Sequence, residues 1–188
     1  MAAGTTSPAR LATLIALPIA VIVGIASFWL LGGFRGTGST RPRPQSTAPV
    51  AMSAPSLAPA QATACRGLVT RLPGALRDRP RRPVTAGTDQ NAAYGDPPIT
   101  LACGVPPASV PQTADVYVLS GVCWYPQPGN GGTVWTTADR EPAVRVTVPA
   151  SYSAPGQWVI EFSGPVAATL SRTATAPAGC QPPTPSSS

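Results

Sequence analysis

The sequence contains no histidine and no lysine; all 13 basic residues are arginine. That closes several chemistries at once. A Ser-His-Asp triad, a Cys-His pair and an HExxH zinc site all need an imidazole, and a Schiff-base enzyme needs a lysine amine. Charge of either sign is scarce: 11% of residues are charged and seven are acidic, where about a quarter charged is usual. Glycine (18) and proline (25) are instead abundant in a chain of 188 residues. That length holds one small domain with appendages, not two ordinary domains.

Long apolar runs are also rare, with one exception. Residues 11–34, LATLIALPIAVIVGIASFWLLGGF, carry no charge. As a helix they would measure about 36 Å at ~1.5 Å per residue, enough to cross a hydrocarbon core of about 30 Å. The run is longer than a signal-peptide core of about 7–15 residues, and the GGFRGT that follows is a poor cleavage site. The sequence therefore predicts a cytoplasmic tail over 1–10 and a single transmembrane signal anchor over 11–34, with the lipid bilayer as its partner. Arg35, Arg41 and Arg43 on the far side oppose the positive-inside rule, whereas the cysteines favour export.

Residues 35–63 contain five prolines and no acidic residue. This Pro/Ser/Thr/Ala composition predicts a disordered linker, reaching at most about 90 Å at ~3.1 Å per residue. A disordered tail is expected over 181–188. The folded part is expected over 64–180.

All four cysteines, Cys65, Cys103, Cys123 and Cys180, fall in 64–180. None shows CxxC spacing and there is no histidine co-ligand, so no metal site and no cofactor are expected. Behind an anchor they read as two disulfides in an oxidising compartment. Spacing leaves three pairings open. The expected location is the plasma membrane, with the C-terminal domain extracytoplasmic.

Periodicity predicts a helix from Cys65 to Leu72, halted by Pro73-Gly74, and a basic, proline-broken loop over 77–83 (RDRPRRP). It predicts turns over 92–98 and 126–132. Strands are expected at 99–103, 115–119, 122–125, 134–137 and 144–148, where VRVTV alternates most clearly. Over 155–171 both periods compete, and a helix with a break is the reading. The sum is an α+β fold: a small, mostly antiparallel sheet of four or five strands with one or two helices on one face.

Several segments carry a resemblance. They are Ala64-Cys65, Leu72-Pro73, Arg81 to Val84, AAYGDPPITLACGV over 92–105, Gly121 to Trp124, Thr136 to Arg140 and Val144 to Pro155. Together they resemble an actinobacterial family of membrane-anchored, exported proteins whose domain has no assigned function. The signature is AA[WY]GDPPIxLxCGV. The resemblance implies an envelope location and a Cys65–Cys103 disulfide; it implies no activity. The family usually has an acidic residue where Cys123 stands and no cysteine near the C-terminus. Both extra cysteines occur together here, which implies a Cys123–Cys180 disulfide.

Residues 66–82 hold six arginines and one aspartate, whereas residues 83–180 hold three arginines and six acids. Arginine forks bind phosphate and carboxylate bidentately. Arg77, Arg79, Arg81 and Arg82, with Asp96 in the YGDPP turn, are the candidate binding residues, for a protein partner or an anionic envelope polymer. Pairing of Arg81 or Arg82 with Asp96 inside the domain is the plainer alternative. An exported domain leaves nucleic acid out. No catalytic residue is assigned. The alternative function is a carboxylate-based hydrolase of envelope glycans, using Asp96, Asp139 and Glu141 beside Trp124 or Trp135.

Overall fold

A computed structural model describes residues 21–23, 25–27 and 45–180. The chain divides into two compact units, residues 1–44 and 45–188. In the first, residues 21–23 and 25–27 are helical, and Val21, Ile22, Val23 and Ile25 are exposed. The rest of the expected 11–34 anchor lies outside the described residues. Among the described residues no helix is long and apolar enough to cross a membrane.

The second unit is built on an antiparallel sheet. Its strands are β1 (Ala75–Leu76), β2 (Arg79–Arg82), β3 (Asn91–Tyr94), β4 (Ile99–Val105), β5 (Tyr117–Leu119), β6 (Val122–Gly129), β7 (Gly132–Thr137) and β9 (Ala143–Pro149). They lie in the order β1-β2-β3-β4-β9-β7-β6-β5. β8 (Arg140–Glu141) and β10 (Ser171–Arg172) form a separate antiparallel pair. The sheet is thus larger than the four or five strands expected, and the α+β class stands.

Helices α1 (Pro59–Arg71) and α2 (Gly156–Thr169) pack together and against the sheet. Ile99, Leu101 and Cys103 of β4 and Val144, Val146 and Val148 of β9 form the buried face. They share a core with Leu68 and Val69 of α1 and with Val159, Phe162 and Val166 of α2. In 155–171 the helical spacing of Val159, Phe162 and Val166 prevails, because that stripe meets the sheet while Ile160 stays half-exposed. Pro165 sits inside α2 without ending it. Trp124 is fully buried and donates its Nε1–H to Ser163 Oγ at 3.0 Å.

Two disulfides staple the layers. Cys65–Cys103 joins α1 to β4, and Cys123–Cys180 joins β6 to the turn over Ala178–Cys180. All four cysteines are buried, and among the described residues none is free.

Three expectations need correction. The disordered linker over 35–63 does not extend to 63. Pro59, at the first helical turn where its missing N–H costs nothing, opens α1, and residues 45–58 lie against the domain as a strap. Val50 N–H donates to Pro83 O at 2.8 Å and Val50 O accepts Thr85 N–H at 3.0 Å, forming a parallel bridge with Val84. Asn91 Nδ2 donates to Ser53 O at 2.8 Å. The folded unit therefore begins at Gln45 rather than at residue 64. Second, the basic loop over 77–83 is largely strand β2, paired with β3. Third, both expected turns shrink: 126–132 to Asn130-Gly131, with β6 and β7 paired up to Gly129 and Gly132, and 92–98 to residues 95–98, because Ala92, Ala93 and Tyr94 belong to β3 and pair with β4.

Two glycines set close approaches. At Gly104 (φ +77) a Cβ would collide with the Leu57 side chain of the strap, and at Gly95 (φ +71) with Tyr152 Oη and Arg79.

Candidate functional site

The candidate arginines arise from the β1–β2 hairpin. Arg77 and Asp78 form its tip, and Arg77 adopts φ 54. That left-handed conformation costs a non-glycine residue roughly 1–2 kcal/mol. It sends the side chain toward α2, where Nη2 donates to Gln157 O at 2.8 Å and Nε pairs with Glu161 Oε1 at 3.2 Å. The guanidinium lies 4.8 Å from the centre of the Trp158 ring. Arg79 lies 5.6 Å from the centre of the Tyr152 ring. Its Nη2 reaches Asp78 Oδ2 at 3.3 Å, while its Nε is buried with no acceptor. Tyr152 and Trp158 meet edge to face at 5.0 Å, and Tyr152 Oη donates to Pro97 O at 2.7 Å. Burial raises the Tyr152 pKa, partly offset by Arg79.

In β2 the side chains alternate, so Arg79 and Arg81 share one face and Arg82 takes the other. Arg81 is exposed, spending one donor on Val69 O at 3.3 Å. Arg77 at the hairpin tip and Arg79 and Arg81 on one side of β2 are thus an arginine cluster, with Trp158 behind Arg77, Tyr152 behind Arg79, and Glu161 and Asp78 as ion-pair partners of these two. Stacking on aromatic rings fixes the long side chains while leaving N–H groups free for an anion.

Arg82 does a different job. Its side chain is 8% exposed. Nε and Nη2 donate to Ala48 O at 3.1 and 2.6 Å, Nη1 to Gly95 O at 2.9 Å, and Nη2 to Ser46 Oγ at 3.3 Å. Asp96 accepts Ser46 N–H at 3.4 Å and lies 4.0 Å from Arg82 Nη1. Arg82 and Asp96 therefore clasp the strap, Arg82 from a buried position and Asp96 from an exposed one, on the side of β2 away from Arg79 and Arg81. Gln45, the first residue of the folded unit, donates to Asp78 O at 3.2 Å. The chain enters the domain beside the arginine cluster.

The hydrolase constellation is not assembled. Asp139 is 2% exposed, accepts Cys123 N–H at 3.0 Å and pairs with Arg140. Trp124 is in the core, and buried Trp135 donates to Thr133 Oγ1. Among the described residues no group of three His, Cys, Asp or Glu could hold a metal ion. Sequence reasoning missed Tyr152 and Trp158 as partners of the arginines. Tyr152 lay inside the resemblance segment Val144 to Pro155, and Trp158 inside 155–171, where two periods compete.

Residues 15–175 match the family described as protein of unknown function (DUF3515), and the chain belongs to that family. No curated protein and no solved structure matches it.

Proposed function

We propose that the protein is a single-pass, membrane-anchored domain on the oxidising side of the plasma membrane. It works without catalysis, binding an anionic envelope surface through Arg77, Arg79 and Arg81. The observation that carries this reading is the docking of Gln45 against Asp78, next to those arginines. Only residues 35–44 separate Gln45 from the uncharged run ending at Phe34. Ten residues span at most about 35 Å, so the arginine cluster lies within that reach of the bilayer surface. Arg35, Arg41 and Arg43 in the same segment add charge of the same sign. Two buried disulfides favour the oxidising compartment, as does the resemblance to exported, anchored proteins. Each arginine near an anionic surface contributes about 1 kcal/mol, screened by salt over a Debye length of about 10 Å at 0.1 M.

The test places the full chain in nanodiscs with and without anionic lipid and follows amide exchange over residues 75–82. Protection is expected only with anionic lipid and should fade with salt. It should fall about 30-fold in the Arg79→Ala, Arg81→Ala double variant, since two arginines supply about 2 kcal/mol. Equal exchange in both discs would move the partner to a protein and end the lipid-surface reading. A reporter fused after Ser188 that is active in the cytosol would reverse the topology.

A further inference from the structure

The eight-stranded sheet ends in β1 on one side and β5 on the other, and an open sheet edge is a row of unpaired backbone groups. β1 is guarded: it is short, Leu76 is buried, and the charged pair Arg77 and Asp78 follows it. β5 (Tyr117–Leu119) is not. It carries no charge, no proline and no bulge. Tyr117 is 48% and Val118 56% exposed. Among the described residues of the second unit, these are the exposed large apolar side chains.

The hairpin geometry says which backbone groups are open. Ser120 (φ 46) and Gly121 (φ 79) join β5 to β6, the positive-φ pair of a type I′ turn. Such a turn closes on a hydrogen-bonded pair, here Leu119↔Val122, so the next bonded pair is Tyr117↔Trp124. Val118 lies between them, and its N–H and C=O point away from β6. β5 pairs with β6 alone, so both groups lack a partner among the described residues. Side chains alternate. Tyr117 and Leu119 lie on the helix side with Trp124, and Val118 on the other. The Tyr117 ring is braced 5.7 Å from the ring centre of Trp135.

A second copy of the same strand completes this edge. An antiparallel pair about a two-fold axis at Val118 matches open N–H to open C=O in both directions. It sets Tyr117 of each copy against Leu119 of the other and brings the two Val118 side chains together. The register also matches charge, because it carries Asp115 of each copy to the Ser120-Gly121 turn of the other. Asp115 is exposed and pairs with no arginine among the described residues. At that turn stands Arg172, exposed, donating to Gly121 O at 3.2 Å and paired with no carboxylate among the described residues. Arg140 behind it is buried against Asp139. A strand of another protein could meet the backbone groups. A copy of β5 supplies, in one register, the acid for Arg172 and the arginine for Asp115.

We propose that β5 is a self-association edge, pairing with β5 of a second copy across a two-fold axis at Val118. Three residues a side make a contact below the roughly 1,000 Å² of stable complexes, so the dimer dissociates on dilution through the micromolar range. The arginine cluster on β2 lies at the other end of the sheet and takes no part. The test is sedimentation and amide exchange of the full chain in detergent over about a hundredfold range of concentration. Dimer content should rise with concentration. The Val118 amide should gain about tenfold protection where about nine-tenths of the chain is dimeric, while the Tyr117 and Leu119 amides, bonded within the hairpin, stay as they are. Val118→Pro removes the outward N–H, leaves the β6 ladder alone and should abolish the dimer. Should that variant fail to fold, Val118→Lys, which sets two like charges on the axis, takes its place. Asp115→Arg and Arg172→Asp should each weaken association about tenfold, and the two together should restore it. Arg79→Ala should leave it unchanged. Four results would each overturn the proposal: a monomer at every concentration, a dimer indifferent to the Val118 variants, no recovery in the double exchange, or Val118 protected equally at all concentrations. The last would give the edge to residues 181–188 of the same chain.

Discussion

Replacing Arg82 by alanine should loosen the strap and leave the arginine cluster intact. The magnitude follows from its acceptors. Gly95 O is part-buried and loses a charged donor at 2.9 Å, which costs about 2 kcal/mol. Ala48 O and Ser46 Oγ lose donors at 2.6 and 3.3 Å, but water can replace much of that exposed contact, leaving about 1 kcal/mol. The total is about 3 kcal/mol, or a fall in Tm of about 10 °C for a unit of this size. Arg82→Lys keeps the charge near Asp96 but reaches fewer acceptors at once, so about half the loss is expected. Hydrogen exchange locates the effect. The amides of Val50 and Met52, bonded to Pro83 O and Thr85 Oγ1, should lose protection beyond the global change. Amides of β4 and β9 should follow global stability alone. Binding to anionic nanodiscs should persist below the new Tm. A variant within about 0.5 kcal/mol of the parent, the range of ordinary surface changes, with Val50 and Met52 still protected, would show that Arg82 is not the clasp.

Two further perturbations test the core. Changing Cys123 and Cys180 together to serine opens a link between residues 57 apart, and the chain-entropy relation puts the loss at about 4 kcal/mol; urea titration checks it, and a loss under about 1 kcal/mol would mean the unfolded chain is already constrained there. Burial raises the Tyr94 pKa above 10.0, with Arg81 opposing, and its hydroxyl donates to Pro73 O at 2.9 Å. For a neutral acid with a raised folded value, this contribution is complete below about pH 10 and is lost as pH climbs toward the folded value. Urea midpoints at about pH 8 and pH 11 should therefore fall less steeply in Tyr94→Phe than in the parent, and equal slopes would remove Tyr94 as a source of alkaline unfolding.

What was legible in the sequence was whatever the chain encodes in its own periodicity. Ile99, Leu101 and Cys103, and Val144, Val146 and Val148, alternate because one face of β4 and β9 is buried under two helices. The strap had no such period. Its order is written in its partners: Arg82, Gln90 and Asn91 donate to the carbonyls of Ala48, Pro55 and Ser53. Backbone carbonyls carry no side-chain signature, so a Pro/Ala/Ser segment held this way reads as a spacer. Strand β2 was hidden for a related reason. RPRR contains no apolar residue but proline, and it is a strand because Arg81 N–H bonds Gly74 O and Pro80 O accepts Gly95 N–H. Of the candidate site, the clustering of arginines was visible. Their division between Arg82 on one side of β2 and Arg79 and Arg81 on the other depends on the register Arg81↔Tyr94, which composition does not carry.

The docked strap also makes a quantitative claim about tethering. With the strap in place, the segment joining the apolar run to the domain is residues 35–44; without it, the segment would be residues 35–63. Effective concentration at the surface falls roughly as the −3/2 power of tether length once the tether can reach. Inserting about thirty Gly/Ser residues after Pro44 multiplies the shorter tether by about four and the longer one by about two. The arginine cluster should then lose about eightfold of its membrane-bound population if the strap is docked, and about threefold if it is not. Exchange protection over residues 75–82 in anionic nanodiscs reads that ratio directly, because the domain and its arginines are unchanged. A threefold loss would detach the strap from the domain in solution, and no loss at all would mean that the tethered arginines do not meet the bilayer.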